Sequence, residues 1–245
     1  MTTGPASKVE PSFKRYEFKF LADEYLLEAF ISSFGEALQR DANFYEPIGY
    51  RVDSIYFDCI QLKDFFDKEE AILKRGKFRL RGYDNLFRSA RQLLEYKAKF
   101  GDFVHKERIP ISHSEFEYIL DSSLFDFGLK IASNCLPAQI REILSRPTLL
   151  PRTIVSYYRK AYFFAGDSRV RVTVDTNIRS GLFARPYRRG DLYSFRGGLS
   201  VLEIKFEKHL PLLLSQRIKE FELERQSNSK AALSFSENRI NRFAP

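Results

Sequence analysis

Arg75, Lys77, Arg79 and Arg81 stand two residues apart in the stretch KRGKFRLRGY, residues 74–83. Successive side chains of a β-strand point to opposite faces, so an extended run here aims four cations in one direction. Like charges at that density repel one another, and an anion with many oxygens would relieve them. Guanidinium forks and ammonium point charges suit phosphate oxygens in particular.

The pattern recurs. RYEFKF sets Arg15, Glu17 and Lys19 against Tyr16, Phe18 and Phe20, and LEYKAKF sets Glu95, Lys97 and Lys99 against Tyr96, Ala98 and Phe100. VHKERI offers Lys106 and Arg108, and SYYRKAYF offers Arg159. SRVRVTVD sets Arg169, Arg171, Thr173 and Asp175 against three valines, and VLEIKFEK sets Glu203, Lys205 and Glu207 against Leu202, Ile204 and Phe206. An antiparallel sheet with one solvated face also alternates in this way, with ion pairs worth about 0–1 kcal/mol each. Solvated faces usually mix Ser, Thr, Gln and Asn with both charges, whereas these are almost all Arg, Lys and Glu. The set describes an inside-out barrel with an ionic lumen and an apolar exterior under helices. A lumen that positive needs an anionic occupant and partly buried carboxylates.

The elements that must position these residues follow from period. Strands are expected over FKRYEFKFL, YRVDSIYFD, GKFRLRGY, LLEYKAKF, FVHKERIPI, RTIVSYYRKAYFFA, SRVRVTVDTNIRS and LSVLEIKFEK, with turn signals DN, GD, GDS and RGG between several of them. Helices are expected over residues 22–40 with Asp23 as a possible cap, over 112–126, over 137–146, over 211–223 and over 229–243. The predicted class is α+β, an antiparallel eight-stranded tunnel barrel with a basic lumen and helices packed outside. Residues 1–12, MTTGPASKVEPS, read as a flexible tail and 13–245 as a single domain.

Composition narrows the function. Lys plus Arg exceed Asp plus Glu by 40 to 32, a formal charge of +8, which suggests a polyanionic partner. Cys59 and Cys135 give neither a metal-ligand spacing nor a disulfide framework, and a reducing cytoplasm is the expected setting. No apolar run is long enough to span a bilayer and no signal peptide is apparent, so no membrane insertion by this chain is expected. His105, His113 and His209 are scattered, which disfavours zinc, and no phosphate-loop signature or Ser/His/Asp arrangement is present. The few carboxylates suit a hard divalent cation bound jointly with phosphate. Sheet-based RNA binders place aromatics beside their cations. Phe18, Phe78, Tyr96 and Phe206 fall on the opposite face, so nucleic acid is not the expected partner.

RYEFKF, YRVDSIYFD, RGKFRLRGY, LEYKAK, RVTVD, VLEIKF with a following Pro, and a late SK stand in the order found in the VTC domain. The chain resembles that polyphosphate polymerase domain of the triphosphate tunnel metalloenzyme (CYTH-like) superfamily over roughly residues 13–235. The resemblance implies a metal-dependent phosphotransferase that moves the γ-phosphoryl group of ATP onto a growing inorganic polyphosphate chain, with Mn²⁺ or Mg²⁺. Matched motif by motif, it implies a phosphate clamp of Lys19, Lys77, Arg79, Arg81, Lys97, Arg159 and Arg171. Glu203 would be the metal ligand, with Lys205 two residues on and Lys230 from the late SK. Lys106 is a further candidate for binding substrate, from a strand of unset register. Glu17 and Glu95 are expected to orient lumen cations, Arg75 and Arg169 to sit solvated at a mouth, and Asp175 to end its strand as a turn former. Ala231 stands where the family carries an aromatic, a departure at the tunnel end. The alternatives are an inorganic triphosphatase of the same fold and a non-catalytic polyphosphate-binding domain. Relatives in eukaryotes act beside transmembrane subunits, so a membrane-protein partner is also expected.

Overall fold

A computed structural model of the chain describes residues 16–42, 47–87, 92–101, 103–131, 141–143, 145–146, 148–185 and 191–226. Ten strands of the described residues form one antiparallel sheet. They are β1 (Tyr16–Ala22), β2 (Leu38–Arg40), β3 (Tyr50–Asp58), β4 (Lys74–Tyr83), β5 (Gln92–Phe100), β6 (Phe103–Ile111), β7 (Leu150–Phe164), β8 (Asp167–Leu182), β9 (Tyr193–Ser194) and β10 (Ser200–Phe206). Eight run in the order β1-β10-β8-β7-β3-β4-β5-β6, with β2 added to β7 and β9 to β8. The expected α+β antiparallel class and its eight-strand path are borne out.

The sheet curls into a half-barrel. Lys97 on β5 lies close enough to Glu17 on β1 and Lys205 on β10 for their charges to interact, although those strands stand far apart along the path. No ladder joins β1 to β6 among the described residues, and Lys106 and Arg108 on β6 are exposed.

Two apolar clusters cover the outer face, and in each the alternate strand residues meet a helix. Ile55, Phe78, Leu80, Leu94 and Ile154 pack with Phe116 and Ile119 of α3 (His113–Asp121) and Leu124 and Phe127 of α4 (Leu124–Ile131). Phe20, Val172, Val174, Leu202 and Ile204 pack with Leu27 and Phe30 of α1 (Glu24–Ser32) and Leu214 of α5 (Leu212–Glu220). Phe78 stacks on Tyr96 across the β4–β5 ladder with centroids 4.5 Å apart, the kind of pair that adds about 0.5–1.5 kcal/mol beyond its burial.

Three element expectations need correction. The helix expected over 22–40 stops at Ser32, and Gly35 with φ +51° turns the chain so that Leu38–Arg40 joins the sheet as β2. The pairing of Leu38 with Phe164 overrides a helical period that only apolar spacing supported. The helix expected over 112–126 is two, α3 and α4, broken at Ser122, after which Ser123 accepts from the Asp126 amide. A further helix, α2 (Lys63–Glu69), was not anticipated. Its cap is Asp58 at the end of β3, which accepts from the amides of Asp64 and Phe65, too far upstream for a local capping pattern to reveal. The tail 1–12, the segment 229–243, Arg15 and residues 137–140 and 144 of the stretch 137–146 lie outside the described residues.

Candidate functional site: a cationic lumen with an apolar floor

Residues directly opposite in an antiparallel ladder point to the same face. Register therefore builds the inner wall in rows. Lys77 faces Lys97, which faces Lys106; one step deeper, Tyr56 faces Arg79, then Glu95, then Arg108; deeper still, Ser54 faces Arg81. The opposite wall carries Glu17 beside Lys205 and Arg171, then Lys19 beside Glu203 and Thr173, then Val201 beside Asp175 and Arg159. Of the residues expected to bind phosphate, Lys19, Lys77, Arg79, Arg81, Lys97, Lys106, Arg159, Arg171 and Lys205 all have this inward register. Lys230 and Ala231 lie outside the described residues.

Glu95 organises the deeper row. Its carboxylate, 2% exposed, lies 2.5 Å from Arg79 Nε, 2.8 Å from Lys106 Nζ, 2.9 Å from Arg108 Nε and 3.7 Å from Arg81 Nε. Burial alone would raise its pKa, but the arginines and Lys106 hold it far below the carboxylate range. One charge thus holds two guanidinium forks in place, and each keeps further donors. Arg79 Nη1 donates to Tyr56 OH at 3.1 Å, and Arg81 Nε to Ser54 Oγ at 3.2 Å.

The outer row lacks such an organiser. Lys77 and Lys97 are directly opposed and neither forms an ion pair among the described residues. Like charges directly opposite are destabilising. Burial, then Lys97, Arg79 and Lys19, bring Lys77 down to about 8 despite the opposing pull of Tyr56. Burial with Lys19, Lys205 and Arg79 lowers Lys97 too, against Glu17, and burial with Arg79 lowers the more open Lys106. Tyr56 responds in the complementary sense. Burial would raise its phenol, yet Arg79, Lys77 and Arg81 bring it down to about 7.

A pH dependence follows. Between about pH 8 and the ordinary lysine value of 10.5 the unfolded chain keeps a proton that folded Lys77 has released. The empty protein should therefore gain stability as pH rises through that window. A bound phosphate chain favours the ammonium form, so binding should take up protons at pH 8 and weaken as pH is raised further. Calorimetric titration of triphosphate in buffers of different ionisation enthalpy reads this directly; an apparent enthalpy independent of buffer would contradict it.

On the opposite wall Lys19 Nζ lies 2.5 Å from Glu17, and Lys205 contacts Glu203 and approaches Glu17 at 3.9 Å. Glu203 is buried at 6% exposure, diagonal to Glu17 across the β1–β10 ladder. Among the described residues, Thr173 Oγ1, on the strand beside Glu203, is buried without a hydrogen-bond partner, as are Thr153 Oγ1 opposite Tyr56 and Arg171 Nε. No cluster of three or more metal-ligating side chains occurs among the described residues. Two neighbouring carboxylates and an orphaned hydroxyl are nonetheless an all-oxygen set suited to a hard cation that takes its other ligands from phosphate and water.

Asp175 does not end its strand. It lies in the middle of β8, fully buried, and receives a two-pronged contact from Arg159 at 2.6 and 2.7 Å. Turn chemistry does not apply because the β8 ladder continues past it to Leu182. Arg159→Ala would remove the cation of that buried pair, which should cost about 3–5 kcal/mol. A thermal or urea melt showing unchanged stability would contradict this. Arg171 pairs with Asp41 at 2.9 Å. Arg169 is exposed and bound to Asp167 two residues away, and Arg75 donates to Ile72 O at the open end of β4.

The lumen is not ionic throughout. Val52, Tyr56, Val155, Tyr157 and Val201 share the inward register and form a third apolar cluster with Ile178 and Phe195, with Leu21, Tyr50 and Tyr83 against it. Aromatics therefore do occur on the inner face, although Phe78, Tyr96 and Phe206 point outward as expected. Sequence reasoning missed this floor and with it Ser54, Tyr56 and Tyr157. The period-two spacing of Val52, Ser54 and Tyr56 was the available signal.

A family model described as the VTC domain matches residues 14–234. Comparison with curated protein sequences finds no significant match. Among solved structures, a Hippeastrum protein described as a candidate adenylyl cyclase with a dominant triphosphatase activity aligns with a TM-score of 0.52 at 14% identity, over 94% of this chain and 98% of that one. A candidate adenylate cyclase from Bacillus halodurans aligns with a TM-score of 0.50 at 14% identity, over 93% and 95%.

Proposed function

The chain belongs to the VTC-domain family, and on that premise we propose that it transfers the γ-phosphoryl group of ATP onto a growing inorganic polyphosphate chain within the cationic lumen. The observation that carries this reading is the outer row, where Lys77 and Lys97 oppose each other with no carboxylate between them. A folded protein tolerates such a row when a multivalent anion occupies it.

Phosphoryl transfer asks little covalent chemistry of a protein; positioning and charge stabilisation dominate. Arg79 and Arg81, held by Glu95, would grip the transferring group with the donors they keep free. Lys77, Lys97 and Lys106 would align the chain behind it, and Lys19, Arg159 and Arg171 would face it from the other wall. Glu203, with Glu17 beside it, would hold Mn²⁺ or Mg²⁺, which when bound supplies neutralising charge across phosphate oxygens. The nucleophile is the end of an existing chain or orthophosphate rather than a side chain. No helix among the described residues is long and apolar enough to cross a membrane; delivery of product across one would require a membrane-protein partner.

One observation favours a second reading. The exposure of Lys106 and Arg108 along β6 leaves the lumen open to water on that side, and water as nucleophile would make the protein a triphosphatase. Incubation with ATP and Mn²⁺ separates the readings. Formation of phosphate chains longer than the substrate supports the polymerase, release of orthophosphate alone supports the triphosphatase, and tight binding without turnover would overturn both in favour of a binding module.

A further inference from the structure

The row of Tyr56, Arg79, Glu95 and Arg108 carries more positive charge than its one carboxylate can neutralise. Glu95 is shared among Arg79, Arg81, Lys106 and Arg108. Lys77, two residues from Arg79 on the same face of β4, forms no ion pair among the described residues. The phenol of Tyr56 stands in this field. The residue is 7% exposed, Arg79 Nη1 donates to its oxygen at 3.1 Å, and Lys77 Nζ and Arg79 Cζ each lie 5.8 Å from the centre of its ring. Lys19 on β1 is near enough for the two groups to interact electrostatically. Tyr157 of β7 shares the apolar cluster beneath the ring, and its own hydroxyl accepts from Arg81 at 3.5 Å.

A guanidinium only donates, so the bond from Arg79 uses the phenol oxygen as acceptor and leaves the phenol's own proton in need of another one. Among the described residues none takes it. Thr153, directly opposite on β7, has a buried hydroxyl that is likewise unengaged, and Glu95 is occupied by its four cations. An unmet buried donor is costly, whereas a phenolate would accept from every cation around it. Burial, the largest influence, favours the neutral phenol, yet Arg79, Lys77 and Arg81 outweigh it and bring the group to about 7.

We propose that ionised Tyr56 is the built-in counter-ion of the empty lumen, a placeholder that surrenders its charge when phosphate arrives. Phosphate oxygens at Arg79 and Lys77 would set negative charge beside the phenolate, and like charges that close repel. The phenolate oxygen then takes one proton from solvent and becomes a phenol; it returns that proton when the ligand leaves, and no other bond is made or broken. Tyr56 is thereby a positioning residue, which keeps the Arg79 fork aimed while the site is vacant. This rests on the reading of the lumen as a phosphate site and adds a role for a residue outside the clamp.

The test is optical, because an ionised phenol absorbs at longer ultraviolet wavelength than a neutral one and the chain has no tryptophan to mask it. Burial raises Tyr50, Tyr96 and Tyr162, so those phenols stay neutral at pH 8. At that pH the ligand-free protein should show a phenolate band, and saturating inorganic triphosphate without metal should abolish it. Tyr56→Phe, which keeps the ring in its cluster, should show neither the band nor the change, while calorimetry still records triphosphate binding. A ligand-free spectrum with no phenolate band would overturn the placeholder while leaving a phosphate site standing. So would a band that survives saturation with triphosphate, or one that persists in Tyr56→Phe. If calorimetry on the unmodified protein finds no triphosphate binding, the phosphate reading itself falls, and the exchange with it. Should Tyr56→Phe not fold, the spectra of the unmodified protein with and without triphosphate decide alone.

Discussion

Glu203→Ala should reduce metal-dependent turnover by about three orders of magnitude, since a Lewis acid worth several kcal/mol is lost and each 1.36 kcal/mol is tenfold in rate. Triphosphate binding should survive. Glu203 lies among Lys205, Lys19 and Thr173 rather than in the Arg79–Arg81 grip, and removing its charge leaves the lumen more positive. The result to look for is thus a split, with kcat collapsing while the dissociation constant for triphosphate holds or tightens. Glu203→Gln, which keeps the shape, should behave the same way. Unchanged turnover in either variant would remove Glu203 from the metal assignment and leave it as a counter-ion to Lys205.

Replacing Arg79 and Arg81 together by Ala should have the opposite split. Hydrogen bonds to charged groups are worth about 1.5–3 kcal/mol each, so losing two forks should weaken triphosphate binding by about two to four orders of magnitude. The double variant also removes two of the four cations around Glu95, which raises the question of whether a loss reflects the site or the fold. Arg79→Lys with Arg81→Lys keeps both charges and loses only the forks, so it should fold normally yet bind weakly. Full affinity in the Lys pair would mean that diffuse charge, rather than directed donors, holds the ligand.

The inward rows were legible in the sequence because a strand's period of two is rigid: once Lys77, Arg79 and Arg81 lie on one face, Phe78 and Leu80 must lie on the other. The structure places Phe78 and Leu80 in the outer core with no exposure at all. Where period was less binding, reading failed. The stretch 22–40 has apolar residues at helical spacing, but a helix needs its exit as well as its face, and Gly35 supplied an exit that spacing alone did not weigh. Asp175 is short, acidic and followed by Thr-Asn, all turn-like traits, and only its tertiary partner Arg159 shows that it belongs mid-strand. The floor was harder still. Its members and the residues packed on them come from six separate strands and a turn, Tyr50, Val52 and Tyr56 from β3, Tyr83 from β4, Val155 and Tyr157 from β7, Ile178 from β8, Val201 from β10, Leu21 from β1 and Phe195 from between β9 and β10. No local window contains more than three of them, so a cluster formed by curling the sheet leaves little mark in any one segment. Glu95 illustrates the same limit in milder form. Its inward face is set by LEYKAK, whereas its grip on four cations from β4 and β6 depends on the register of both neighbours.

The most direct measurement is a crystal structure with inorganic triphosphate bound in the absence of metal. Phosphate oxygens should lie within hydrogen-bond distance of Arg79, Arg81, Lys77 and Lys97 on one wall and of Arg159 or Lys19 on the other. Triphosphate found on the outer face, or a lumen that stays free of it at saturating concentration, would contradict the assignment of the inner rows to phosphate.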